Sequence, residues 1–273
     1  PTISLLSRQK TVVTVHDLSY LYFPDAYSFG FRAFYNFIIP LIMKHSDKII
    51  TVSQSEKKSI LKHYKYAGDR LIAIQNGGLN RNYLDELEGI NPAESGKPFV
   101  IYVGSLSRRK NLQGVIEAVA LLNKRIDVPA VVVGAGGKSF KNDQFGVPEE
   151  AVRKIDFKGQ VNDTQYILSL YKAASCLVFP SFYEASPLPP IEAMACGCPV
   201  IASPIPSLLE RCGKAAIYAD PDDPADIADK IEQILGNSVL AAELRDKGLE
   251  HAGKFTWENC ARHTWAAIRD IIG

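Results

Sequence analysis

Residues 175–201 read SCLVFPSFYEASPLPPIEAMACGCPVI, and this stretch decides the fold. The apolar run Cys176–Phe179 has the length and composition of a buried strand, closed by Pro180. Pro190 opens a helical segment, Ile191-Glu-Ala-Met-Ala-Cys196, and Gly197 supplies its stop. A further apolar run begins at Pro199. Two carboxylates, Glu184 and Glu192, are separated by seven residues. The first falls on the loop past the strand's carboxyl end, and the second in the first turn of the next helix. In open α/β sheets that crevice is where ligands bind. A helix N-terminus there would also present free N–H groups to an anion such as a diphosphate. Taken alone, a glutamate in a first helical turn is explained as well by the helix dipole.

Working outward, short apolar runs alternate with amphipathic stretches along the whole chain. Strands are predicted at Thr11–Val15, Lys48–Val52, Leu71–Ile74, Phe99–Val103, Ala130–Val133, Ile155–Lys158, Ser175–Phe179, Pro199–Ala202 and Ala216–Tyr218. Helices are predicted at Tyr27–Lys44, Gln54–Tyr64, Leu112–Leu122, Asp163–Ala173 and Ala225–Leu235, with Ser53 as a cap. The fold class is therefore α/β, with parallel sheets covered by helices on both faces. At 273 residues the chain holds two modest domains. Residues 1–82 form the first and 98–254 the second. The stretch 83–97, with a Pro on either side of Ala93-Glu-Ser-Gly-Lys97, reads as a linker. From 255 to 273 an amphipathic helix would place Trp257, Ala261, Trp265 and Ile268 on one face.

The bulk numbers exclude several classes. Lys plus Arg number 31 against 30 Asp plus Glu, so no net field favours nucleic acid. Five cysteines without paired spacing point to a reducing compartment. Cys196-Gly-Cys198 lacks the further ligands of a metal site and reads as buried thiols at a helix end. No apolar run reaches the roughly 18–20 residues of a membrane span. Phe29, Phe31, Phe34 and Tyr35 precede the apolar run Phe37–Met43, which Pro40 interrupts. Packing on the domain core is the first explanation for this group, and contact with lipid the second.

Glu184, Pro189, Glu192-Ala-Met-Ala195 and Gly197-Cys-Pro-Val-Ile201 together resemble the E-x7-E signature of retaining GT-B glycosyltransferases of family 4. Val13-Thr-Val-His-Asp17, Asp47–Gln54, Leu71–Gly78, Phe99–Gly104 with Ser105–Asn111, and Asp220–Pro224 extend the resemblance over nearly the whole chain. It implies two Rossmann-like domains, with the last helix crossing back to the first. Members place several βα units ahead of the His-Asp strand, so the first domain is expected to be truncated here.

The resemblance also implies roles. His16 would contact the donor sugar from the acceptor side, and Glu184 would contact its hydroxyls. Glu192 would accept hydrogen bonds from both ribose hydroxyls, which suits a carboxylate facing a cis-diol. Arg109 and Lys110 would stabilise the departing diphosphate in place of a metal. Gly104, Ser105, Gly134, Ala185, Ser186, Pro187 and Leu188 would complete the donor site. Many relatives carry Arg directly after the glycine where this chain has Ser105, and Gly-Phe-Gly where it has Ala185-Ser-Pro187; Pro187 offers no N–H. No metal and no cofactor are expected beyond the nucleotide sugar. The expected partners are that donor and a saccharide or lipid-linked acceptor, with a peripheral membrane contact, in the cytoplasm or at the inner membrane face. A nucleotide-sugar binding module without turnover is the rival from a different class. A 2-epimerase or phosphorylase fits the wording less well. A dehydrogenase lacks its G-x-G-x-x-G fingerprint.

Overall fold

The computed structural model describes residues 9–135 and 149–272. In chain order its strands and helices are β1 (Val12–Thr14), α1 (Ser19–Tyr22), α2 (Phe29–His45), β2 (Lys48–Thr51), α3 (Gln54–His63), β3 (Leu71–Ala73), α4 (Arg81–Glu86), β4 (Val100–Val103), α5 (Leu112–Leu122), β5 (Ala130–Val133), α6 (Glu149–Val152), β6 (Ile155–Gly159), α7 (Thr164–Ala173), β7 (Cys176–Phe179), α8 (Pro189–Ala195), β8 (Val200–Ala202), α9 (Pro206–Cys212), β9 (Ile217–Tyr218), α10 (Pro224–Gly236), α11 (Ser238–Ala252) and α12 (Trp257–Ile272). All nine predicted strands are present: most are apolar runs too short for a helix, and β6 (IDFKG) instead alternates apolar with charged residues. The sequence pattern does not mark the short helices α1, α4 and α6, nor α9 and α11; of the last two, the first is short, and the second mixes Leu, Ala, Glu and Arg with little periodicity.

Two compact units form, residues 1–77 with 255–273, and residues 78–254. In the first, β1, β2 and β3 pair in parallel in that order. Ile39, Ile42 and Met43 of α2 are fully buried against Val13, Ile49 and Leu71 of the sheet. Each such side chain contributes on the order of 1.5–3 kcal/mol by leaving water. The core explanation does not extend to Phe29, Phe34 and Phe37, which are 79, 49 and 66 % exposed. They sit on the α2 face turned away from Ile39, Ile42 and Met43.

Helix α12 lies on the same sheet, but not by the predicted face. Cys260 and Ala267 pack with Ile50 and Ile74, while Trp265 is exposed. Small residues let the helix approach the sheet where an indole would hold it off. Trp257 packs on Gly77 instead, where an added Cβ would lie 2.5 Å from the ring. Lys48 and Asp270 close the contact with a 2.6 Å ion pair.

The second unit is a six-stranded parallel sheet in the order β6-β5-β4-β7-β8-β9. The chain reverses direction across the sheet between β4 and β7, so their carboxyl ends open onto a topological switch point. Strands β5 and β7 are buried along their whole length, as expected with helices on both faces. Leu112, Val115, Ile116, Val119 and Leu122 of α5 bury the core stripe and meet Ile227, Ile231 and Ile234 of α10. The stretch 83–97, expected as a linker, is held along α7. Lys172 Nζ donates to the carbonyls of Leu87 (2.5 Å) and Ile90 (2.9 Å), and the Ala93 N–H donates to Ser169 O at 3.0 Å.

Gly134 ends β5 at φ +154°, and a Cβ there would lie 1.8 Å from the Gly104 carbonyl oxygen. Gly134→Ala is therefore expected to lower stability by at least about 2 kcal/mol, from backbone strain and a forced separation of the two loops. Urea denaturation checks this; an unchanged midpoint would mean that the two loops are not held together.

Candidate active site

The switch point brings together residues that lie about 75 positions apart in the sequence. After β4 the chain passes Gly104 and Ser105 and makes a single 3-10 turn, Arg108–Lys110. After β7 it runs through Pro180 to Glu184. Lys110 Nζ donates to Glu184 Oε1 at 2.5 Å, and Arg109 Nη1 lies 3.6 Å from Glu184 Oε2. Arg109 Nη1 also donates to the Tyr183 carbonyl at 3.0 Å, and the Phe182 N–H donates to the Arg109 carbonyl at 2.9 Å. Lys110 sits 5.2 Å from the centre of the Phe179 ring, a cation–π contact in a largely dry setting. Glu184 is 7 % exposed, a burial a carboxylate tolerates when cations face it. Burial, and then the Glu184 charge, raises the Tyr102 hydroxyl well above its ordinary pKa. That hydroxyl donates to the Ser105 carbonyl at 2.9 Å, fixing the turn that follows Gly104.

Asn111 sets this turn, and the sequence reading gave it no role. It adopts φ 55°, ψ 41°, a left-handed conformation that Asn tolerates better than most residues. Its Oδ1 caps α5 by accepting from the Gly114 N–H at 3.1 Å. Its Nδ2 donates to the carbonyls of Pro180 (3.1 Å) and Pro221 (2.7 Å). One buried amide thus joins the cationic turn, the end of β7 and the Asp220–Pro224 loop.

Glu192 lies in the first turn of α8, half-buried. Burial raises its carboxyl above the ordinary range, and the Tyr171 hydroxyl and the Arg211 guanidinium oppose that shift. Tyr171 is fully buried on α7 beside it, with its hydroxyl pKa raised by burial and by the Glu192 charge. The expectation that the N-terminus of α8 offers free N–H groups to an anion is corrected. Pro189 and Pro190 occupy its first two positions, and the Ile191 and Glu192 N–H groups both point at the Leu188 carbonyl, at 2.9 and 3.0 Å. The cations that face Glu184 at this crevice are Arg109 and Lys110.

Between the two glutamates, Ala185 and Pro187 are buried, and Leu188 and Ser186 are partly so. The Ser186 hydroxyl oxygen is buried without a hydrogen-bond partner among the described residues. Gly134 and Gly104 touch at the floor of the crevice; Gly136 and Gly137 lie outside the described residues. Burial pushes the thiols of Cys176, Cys196 and Cys212 up to about 12, and Cys198 higher than usual, so all four are thiols at neutral pH. Among the described residues no group of three or more His, Cys, Asp or Glu is placed to hold a metal ion.

His16 belongs to the first unit. It is exposed past the end of β1, beside a cavity of about 170 Å³ lined by Asp17, Ser19, Tyr27, Phe31 and Tyr35. Asp17 Oδ1 accepts from the Ser19 N–H (2.9 Å) and hydroxyl (2.5 Å). The Leu18 N–H donates to the buried Glu56 carboxylate at 3.0 Å, and Ser53 caps α3 as its sequence position suggests. Tyr27, Phe31 and Tyr35 stack in series with centroid separations of 5.0 and 4.1 Å.

The fold defines a class, and comparison with known proteins agrees. Residues 85–251 match the family model of glycosyl transferases group 1, and residues 2–77 match that of glycosyltransferase family 4. The chain belongs to the glycosyl transferases group 1 family, and its α/β architecture with two parallel sheets is the GT-B fold. It is 29 % identical to O-antigen chain mannosyltransferase B of Escherichia coli over 96 % of this chain and 70 % of that one. It is 31 % identical to the O-antigen chain mannosyltransferase RfbU of Salmonella typhimurium over 81 % of this chain and 59 % of the relative. Sucrose-phosphate synthase from Thermosynechococcus elongatus superposes with a TM-score of 0.77 at 25 % identity, over 96 % of this chain and 67 % of that one. Anabaena Alr3699/HepE, solved with UDP and glucose, gives 0.73 at 18 % identity, over 97 % and 72 %.

Asn111→Ala is expected to cost about 2–4 kcal/mol, since it removes a cap and puts Ala in the left-handed region. Asn111→Gly should cost less, because only the hydrogen bonds are lost. Equal losses in thermal denaturation would show that the backbone conformation at 111 carries no strain.

Proposed function

We propose that this chain is a retaining, metal-independent glycosyltransferase that moves a hexosyl unit from a nucleoside diphosphate sugar to a saccharide or lipid-linked acceptor. The two O-antigen mannosyltransferase relatives make mannose the first sugar to test and cell-surface polysaccharide synthesis the setting. The observation that carries the reading is the Arg109–Lys110–Glu184 cluster at the switch point, with Glu192 one turn into the following helix.

In this reading the sugar C1–O bond breaks as charge grows on the diphosphate. Arg109 and Lys110 meet that charge, and Lys110 is shared between Glu184 and the phosphate. The acceptor oxygen bonds to C1 on the face the diphosphate leaves, and the acceptor proton passes to a phosphate oxygen. No protein nucleophile is assigned. Glu184, oriented by the two cations, accepts from hydroxyls of the transferred sugar, with Ala185, Ser186, Pro187 and Leu188 forming the wall beside it. Glu192 accepts from both ribose hydroxyls. Gly104, Ser105 and Gly134 let backbone approach the nucleotide, and His16 contacts the sugar from the acceptor side. We assign peripheral membrane contact to the exposed Phe29, Phe34 and Phe37 of α2, which fits a site of action at the cytoplasmic membrane face. No helix among the described residues is long and apolar enough to cross a membrane.

Calorimetric titration with UDP, GDP and their hexose conjugates, without metal, tests this. One nucleoside diphosphate is expected to bind at a single site, with Glu192→Ala weakening it about tenfold or more. Arg109→Ala with Lys110→Ala should weaken the diphosphate far more than the bare nucleoside. Binding without any sugar transfer would identify a donor-binding module instead, and no binding to any nucleotide would overturn the donor site itself.

A further inference from the structure

Helix α9 carries a cation that the chemistry above does not use. Arg211 is 1 % exposed, among the most deeply buried large side chains of the molecule. Taking a guanidinium out of water costs several kcal/mol unless charge and hydrogen bonds replace the lost solvation. Its surroundings belong to the donor crevice. Arg211 Nε donates to the Pro187 carbonyl at 3.3 Å, and its charge acts on Glu192. Its own main-chain carbonyl faces His251 Nε2 of α11 at 2.9 Å, which ties α9 to a long helix behind it. The loop 184–188 is thus held at its entry by Arg109 and Lys110, and at its exit by Arg211.

We infer that Arg211 is a positioning residue of the donor site: from its buried place on α9 it fixes the exit of the 184–188 loop through the Pro187 carbonyl, just ahead of the helix that carries Glu192. This rests on the reading of Glu192 as the ribose ligand. The sequence offers a physical reason for such a device. Pro187 has no N–H, so its carbonyl is the one main-chain group it can use to anchor the loop. The planar guanidinium donates to the Pro187 carbonyl in a fixed direction, which a flexible ammonium does less well, and its charge also acts on Glu192. The groups that face Glu192 are Tyr171 from α7, Arg211 from α9 and Cys196 at the end of its own helix. Of these, Arg211 alone is a cation. Burial raises the Glu192 carboxyl and Arg211 opposes it, so loss of Arg211 makes Glu192 take up its proton at higher pH.

The test uses the ligand-free chain and the variants Arg211→Met and Arg211→Lys, followed by hydrogen exchange and by carbon-detected titration of the Glu192 carboxyl. In Arg211→Met, the Ile191 and Glu192 amides, which donate to the Leu188 carbonyl at the loop's exit, should exchange about tenfold faster while those of β7 keep their protection, and the Glu192 midpoint should move to higher pH. Arg211→Lys should restore most of the midpoint but little of the loop-exit protection. Wild-type exchange and titration in both variants would overturn the inference. So would equal acceleration across the whole second unit, which marks a residue that only supports the fold. Should Arg211→Met not fold, the Lys variant decides: loop-exit protection equal to wild type overturns the proposal. No step here uses a nucleotide. Failure of UDP and GDP to bind the wild-type chain would therefore strike the donor reading and not the loop result.

Discussion

The ion pair between Lys110 and Glu184 is the contact on which the second unit's crevice depends. It joins the turn after β4 to the loop after β7, the two places where a Rossmann-like sheet reverses its strand order. A carboxylate buried this far is tolerated because Lys110 and Arg109 face it. The same two cations would otherwise crowd each other at one end of a helix. Replacing the pair by apolar groups could leave stability unchanged, so stability alone does not explain its presence. In the proposed reading it secures positive charge held in a dry cleft by a carboxylate that the donor diphosphate would partly displace.

Around this pair the backbone is unusually constrained. Asn111 holds the cationic turn in a left-handed conformation and ties it to two neighbouring loops. Gly104 and Gly134 meet with no room for a side chain between them. Burial raises the Glu192 carboxyl, and the Tyr171 hydroxyl and Arg211 charge act against that shift. In the proposed reading the fixed backbone leaves the Lys110–Glu184 contact as the part that adjusts to a bound diphosphate. The first unit contributes a different surface, with His16 beside a small aromatic-lined cavity and a helix that exposes three phenylalanines.

The strands and the α/β class were legible because parallel strands buried on both faces are written as plain apolar runs, as in Val100–Val103 and Ala130–Val133. That Glu184 follows a strand and Glu192 lies in the first turn of the next helix is legible from the flanking residues. Less could be read where a side chain acts across the fold. Arg211 sits in an ordinary helical segment, and nothing nearby in sequence shows that its guanidinium passes under a loop 24 residues away. Asn111 was visible as the end of a motif, but its left-handed backbone follows from contacts with Pro180 and Pro221. The α12 face was misjudged because tryptophans weigh heavily in an amphipathic pattern, whereas the sheet accepted the smaller Cys260 and Ala267. The sequence alone suggests an anion site at the N-terminus of α8, but its two prolines lack N–H groups and the Leu188 carbonyl occupies the next two of its first turn.

The most direct test of the account is a crystal structure of the chain with the nucleoside diphosphate that calorimetry selects. The account predicts the terminal phosphate on Lys110 Nζ and Arg109, with the Lys110–Glu184 contact lengthened or shared, and the ribose diol on Glu192. A nucleotide bound elsewhere, or one bound here with Lys110 and Glu184 still paired as in the free chain, would contradict it.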